Sequence, residues 1–133
     1  YRAVLEATAF GVRHNIDTFL QAGAVIERVV AVGGGTQGDL WVQIVSDVAG
    51  VEQVVPTQTV GASYGAAYLA ARSQIDVAIG DWNPPRRVVA PDAGTRATYD
   101  GLYELYRQLY PATQHISHAL ARQQRRLAPD AVP

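Results

Sequence analysis

The sequence predicts an α/β fold in which helices dominate. Three observations carry that reading: apolar residues recur at helical spacing near both ends, a short valine-rich run breaks on three consecutive glycines, and those glycines lead straight into another helical pattern. With 133 residues, 48% hydrophobic and 17% charged, the chain suits one compact domain.

The first element is an amphipathic helix. Leu5, Ala9, Val12, Ile16, Phe19 and Leu20 share a helical face, and Gly23 stands where a left-handed C-cap belongs. Ile26 to Val32 is nearly continuous in apolar residues after Glu27-Arg28, which predicts a strand buried on both faces of a short, mostly parallel sheet. Leu40, Trp41, Ile44, Val45 and Val48 resume helical spacing, with Asp39 suited to the positive end of the helix dipole and Gly50 just past the end. Val51 to Val55 predicts a strand stopped by Pro56, and Gly61 to Ser73 a small-residue helix whose smooth face packs tightly against the sheet. Gln74 to Thr95, with Gly80, Pro84, Pro85, Pro91 and Gly94, is a loop-rich connection holding a brief edge strand over Arg86 to Ala90. Tyr99, Leu102, Tyr103, Tyr106, Leu109 and Tyr110 predict a last helix, broken or kinked at Pro111 and continuing as a polar helix to about Arg126. Residues 128–133 are expected to form a flexible tail.

Composition removes several functions. A formal net charge of -1 gives no basic face for nucleic acid or an anionic membrane, and Arg86-Arg87 and Arg125-Arg126 are too small to supply one. No apolar run approaches the roughly 20 residues of a membrane-spanning helix. Cysteine is absent, which removes disulfides and thiolate metal sites and is compatible with a cytoplasmic location. Lysine is also absent, all 11 basic residues being arginine, so a Walker-type loop is excluded and any phosphate must be held by backbone amides or arginine. Methionine is absent too, and a helical pattern is already under way at Tyr1, so a piece of a longer protein is expected.

Gly33-Gly34-Gly35-Thr36-Gln37-Gly38 satisfies the spacing G-x-G-x-x-G between a strand and a helix. Glycine lets a backbone touch a phosphate, and a helix N-terminus offers unpaired amides to an anion. A dinucleotide-binding oxidoreductase module would also need an acidic residue at the far end of the next strand. Glu52 has nearly the right separation but stands before its strand. A non-catalytic α/β interaction domain, with the glycines serving only as a tight connection, is the second alternative.

The wider stretch carries a more specific pattern. Gly33-Gly34-Gly35, Trp41-x-Gln43, Ser46-Asp47 and Gly50 resemble the adenosine motif of the FGGY carbohydrate kinases, Gly-Gly-Gly-x-x-(Ser/Asn)-x-x-Trp-x-Gln-x-x-(Ala/Ser)-Asp-x-x-Gly. Gly61-Ala62-Ser63-Tyr64-Gly65-Ala66-Ala67-Tyr68-Leu69-Ala70 resembles the same family's small-residue helix, at the matching separation. The resemblance, closest to the xylulokinase-like branch, implies the later part of the second domain of an actin-like, ribonuclease H-like kinase over residues 1–127. It also implies ATP and Mg²⁺ as cofactors, and a sugar bound mainly by earlier sequence of the same chain. Gly34 and Gly35 would lie near the ribose and α-phosphate, with Gln37, Gly38 and Asp39 near adenine or ribose and Thr36 adding a hydroxyl. Where the family often has serine or asparagine this chain has Gly38, so a side-chain contact to adenine is missing and backbone or Asp39 replaces it.

The residues here supply neither a base for a sugar hydroxyl nor a Mg²⁺ site, so no catalytic or metal-binding residue is assigned and no turnover is expected of this chain alone. Asp47 is expected in a solvated or capping role. His14, His115 and His118 are expected at the surface or packed, and the tyrosines 99, 103, 106 and 110 form a half-buried packing stripe. A homodimer of the parent using that stripe is compatible with the resemblance.

Overall fold

A computed structural model of the chain describes residues 1–127, so the tail expected over 128–133 lies outside the described residues. The described residues divide into two compact units, residues 1–99 and 100–127.

In the first unit, α1 (Arg2–Gln21) runs beside α2 (Asp39–Ala49). The two helices point the same way. Leu5 and Thr8 border the same recess as Leu40 and Trp41, while Arg13 Nη1, farther along α1, donates to the Val48 carbonyl at 3.1 Å near the C-terminus of α2. That bond places a cation at the negative end of the α2 dipole. Ala9 and Phe10 are the buried residues of α1, whereas Phe19 and Leu20, expected in the stripe, are exposed. They sit beyond Arg13 and so past the end of α2, where that helix has no surface left to cover them. Gly23 takes φ 86°, and the amides of Ala22, Gly23 and Ala24 donate to the last carbonyls of the helix, as a left-handed cap requires.

The sheet has three strands in the order β1 (Val29–Val30), β2 (Gln53–Pro56), β3 (Pro85–Val89). β1 pairs with β2 in parallel and β3 with β2 antiparallel, so the sheet is mixed. Two expectations change here. The run from Ile26 to Val32 enters the ladder only at Val29–Val30, extended by the Ala31 amide donating to the Val54 carbonyl at 2.9 Å. It is also not buried on both faces: Val30 and Val32 are 42% and 49% exposed, while Val29 and Ala31 are half-buried. The alternation is that of an edge strand covered on one side.

β2 is central and carries a buried polar residue. Gln53 is 4% exposed, and its Nε2 donates to the Val42 carbonyl at 2.8 Å and to Ser46 Oγ at 2.9 Å. Ser46 Oγ in turn donates to the Val89 carbonyl at 3.0 Å, so one chain of bonds links α2, β2 and β3. The apolar core around it comprises Val42, Ile44, Val45, Val48 and Val55.

α3 (Ala62–Arg72) forms where expected but has no buried residue. Its smooth face does not pack on the sheet: a Cβ on Gly65 would meet nothing within 4 Å, and one on Gly61 only Val32 Cγ2 at 3.8 Å. What holds α3 is its tyrosine side. Tyr64 and Tyr68 flank Trp82 at ring separations of 5.7 and 6.0 Å and donate their hydroxyls to the Trp82 and Val77 carbonyls. Trp82 closes the short helix α4 (Ile79–Trp82). Asn83 then uses its side-chain amide like a strand backbone, accepting from the Gln58 amide and donating to its carbonyl, both at 2.9 Å.

α5 (Arg96–Leu127) continues unbroken through Pro111. Proline there forfeits one backbone donor, a local loss that long helical segments on both sides outlast. Tyr103 is buried, Tyr106 half-buried and Tyr110 exposed, and Tyr103 and Tyr106 stack at 6.1 Å. The tyrosines therefore do not form a uniform half-buried stripe. His14, His115 and His118 are exposed. No helix among the described residues is long and apolar enough to cross a membrane.

Within the first unit, buried Tyr99 joins the start of α5 to the start of α1. Its hydroxyl accepts from Arg2 Nη2 and donates to Glu6 Oε1, both at 3.0 Å, with its ring edge-on to Phe10. Burial pushes the Tyr99 phenol above its ordinary value and Glu6 adds to that, while the bond from Arg2 opposes it. A folded-state value raised above the unfolded one, about 10, means that this contribution to stability is complete below about pH 10 and is lost as pH climbs through the raised value. The chain has seven tyrosines and no lysine or cysteine, so it is the comparison with Tyr99→Phe that assigns the loss to this phenol. Urea denaturation from about pH 8 to about pH 11 should show stability falling in the wild type and falling less in Tyr99→Phe.

Candidate functional site

The glycine run becomes a tight corner followed by a 3-10 turn, Gly34–Gln37, leading into α2. Gly33 sits at φ 93°, which a side chain would strain, and its amide donates to the Thr59 carbonyl at 2.6 Å. Thr36 closes the turn on itself, its amide and hydroxyl both donating to the Gly33 carbonyl, at 3.1 and 2.7 Å. The Thr36 hydroxyl proton is thus used within the loop. Gly34, Gly35, Gln37, Gly38 and Asp39 are all exposed and Thr36 is half-buried among them, so the six residues predicted for the site lie together at the N-terminus of α2.

The glycines differ in why they are glycine. At Gly35 a Cβ would lie 2.7 Å from Trp41 Cδ1 and Nε1, so the indole lying on the backbone excludes any side chain. At Gly34 and Gly38 a Cβ would meet nothing within 4 Å, and Gly38 has the ordinary extended backbone φ -106°, ψ 137°. Neither strain nor a protein neighbour requires glycine at these two positions. The space that a side chain would occupy opens onto a recess of about 460 Å³, walled by Val4, Leu5 and Thr8 of α1 and by Leu40 and Trp41 of α2. Its lining is mostly apolar, with backbone donors at one lip, the usual character of a site for a flat organic group bearing an anion.

The other polar residues of the motif face away from this surface. Gln43 Nε2 donates to Asp47 Oδ1 at 2.7 Å and to the Ala90 carbonyl at 3.0 Å, and Asp47 Oδ1 accepts the Asp92 amide at 2.8 Å. Asp47 is 5% exposed, so it is not solvated but caps a backbone amide 45 residues away in sequence. Ser46 therefore fastens α2 to the end of β3, and Gln43 and Asp47 fasten it to the segment that follows. No group of three or more histidine, aspartate or glutamate residues that could hold a metal ion occurs among the described residues. Glu52 lies just before β2, not at its far end, as the sequence indicated.

Sequence reasoning missed two parts of the site. The α1 wall of the recess joins residues 4–8 to residues 34–41, a contact that no local pattern reveals. Arg87, set aside with Arg86 as too small a basic patch, reaches from β3 to pair with Asp39 and to donate from Nη2 to the Thr36 carbonyl at 3.3 Å.

Residues 1–74 match the model of the FGGY family of carbohydrate kinases, C-terminal domain. Xylulose kinase of Bacillus subtilis (strain 168) is 27% identical over 124 residues, which cover 90% of this chain and 25% of the relative. Ribulokinase of Mycolicibacterium smegmatis is 44% identical over 71 residues, 53% of this chain and 13% of the relative. The solved structure of xylulose kinase from Rhodospirillum rubrum aligns with a TM-score of 0.75 at 28% identity, over 87% of this chain and 25% of that one. The chain thus spans a quarter or less of the length of these relatives, and it shares their actin-like ATPase fold.

The two kinds of glycine should separate on substitution. Gly35→Ala must displace the indole and should cost about 1–3 kcal/mol of unfolding free energy. Gly34→Ala should change it by no more than about 0.5 kcal/mol. Urea melts of both variants check this.

Proposed function

The chain belongs to the FGGY family of carbohydrate kinases, and from that membership we propose that it supplies the adenosine-binding part of an ATP-dependent kinase acting on a xylulose-like ketose or related polyol. The observation that carries the proposal is the open volume at Gly34 and Gly38, where glycine serves no need of the protein itself and the backbone borders an apolar recess. The recess takes the flat base, with Trp41 and Leu40 on one side and Val4 and Leu5 on the other. Exposed amides at Gly34 and Gly35 approach the phosphate end, where the positive end of the α2 dipole favours an anion. Gln37 and Asp39 face the ribose and base edge, and Asp39 stands in for the side chain that Gly38 lacks.

We assign no catalytic base and no Mg²⁺ ligand among the described residues, so the contribution read for them in phosphoryl transfer is binding and orientation. ATP supplies the transferred phosphoryl group. Sugar contacts, the base and the Mg²⁺ site fall to other sequence of the kinase, and residues 1–127 form the later part of its nucleotide-binding domain. The reading carries with it a cytoplasmic location and is compatible with a homodimer.

Backbone amide shifts of the 133-residue chain, recorded while ADP and NAD are added separately, test this. ADP alone should move Gly33 through Asp39 together with the Trp41 indole. A response to NAD alone would make the loop a dinucleotide site, and silence toward both removes nucleotide binding from this chain. Gly34→Val, which fills the open volume, should weaken ADP binding about tenfold or more, roughly 1.4 kcal/mol, with the fold intact.

A further inference from the structure

We propose that Arg87 is a positioning residue for this site, a clamp from β3 that fixes the corner Gln37–Gly38 and aims the Asp39 carboxylate. The inference rests on the nucleotide reading of the loop. A segment with Gly33, Gly34, Gly35 and Gly38 within six positions has few side chains to hold its shape, and ordering glycine costs more conformational entropy than ordering any other residue. Its fixed points are therefore informative. The Gly33 amide is held by Thr59 at the start, and the Thr36 hydroxyl closes the turn from inside. Beyond Thr36 the loop is gripped from outside by Arg87, whose guanidinium binds the Thr36 carbonyl before the corner and the Asp39 carboxylate after it.

A planar guanidinium with diverging donors suits that double contact, and a lysine ammonium would serve one partner at a time. The pair is not a stability device. Its side chains are 30% and 90% exposed, and ion pairs so exposed contribute little to folding. Its effect is to set direction: with one carboxylate oxygen engaged by Arg87, the remainder of Asp39 stays open to solvent at the N-terminus of α2, beside the exposed Gln37 and Gly38. A loop already in its binding shape loses less freedom when ligand arrives, and that saving appears as affinity.

The test uses the intact chain, with Arg87→Gln and Arg87→Lys, titrated with ADP and, separately, with adenosine. Arg87→Gln should weaken both ligands by the same factor, roughly five- to tenfold, while the urea midpoint stays at the wild-type value; Arg87→Lys should recover part of the loss. A loss for ADP with adenosine unaffected overturns the inference, because Arg87 would then touch phosphate directly. Unchanged affinity for both ligands also overturns it, as does a fall in the urea midpoint large enough to account for the loss. A wild-type chain that binds neither ligand refutes the nucleotide reading itself, an outcome distinct from wild-type binding that Arg87→Gln leaves intact.

Discussion

The side-chain amide of Gln53 is the point from which the architecture of the first unit is set. A buried amide without partners would cost several kcal/mol, so Gln53 is tolerated on the central strand only while α2 offers the Val42 carbonyl and the Ser46 hydroxyl. Those bonds fix both the height and the rotation of α2 above the sheet. Because Ser46 also reaches Val89, β3 is held in the same arrangement. The glycine corner is the entry to α2, so its position follows from a contact well inside the domain. The recess beside it follows as well, since α1 lies along α2 and Arg13 anchors the far end of that packing.

Much of this was legible in sequence where the signal is local. The glycine run, the apolar spacing of α2 and Gly50 at its end define a connection whose form depends on backbone freedom and helix termination, and the structure has it, with Gly50 at φ 68° in the left-handed region. The family motif was legible for the same reason, being a single stretch of chain. What was hidden depends on distant partners. Asp47 reads as solvated or capping, and its actual partner, the Asp92 amide, arrives from 45 positions away, as Ala90 does for Gln43 from 47. Arg87 reads as half of a small basic dipeptide until it meets Thr36 and Asp39 across 51 and 48 positions.

The errors about burial have a common physical source. An apolar run says that residues gain by leaving water, but not which element will cover them. Val30 and Val32 read as a strand enclosed on both faces, and the structure gives them an edge position with one face open. The small residues of α3 likewise read as a surface for close approach, yet Tyr64 and Tyr68, the bulky residues between them, make the contacts. At Pro111 the helix is continuous rather than broken, because the cost of one missing donor is local, whereas helix continuity is decided by the segments on both sides.

The two tryptophans of the chain stand in different surroundings, and that difference gives the loop a built-in optical reporter. Trp82 lies between two tyrosine rings, which shield it and pass excitation to it. Trp41 forms a wall of the recess with its indole nitrogen against the Gly35 backbone, so its emission responds to whatever enters beside that glycine. Excitation at the red edge, where tyrosine does not absorb, divides the signal between one half-buried indole in aromatic surroundings and one at the lip of the loop. Movement of the corner is then visible as a change in colour and quenching without any added label.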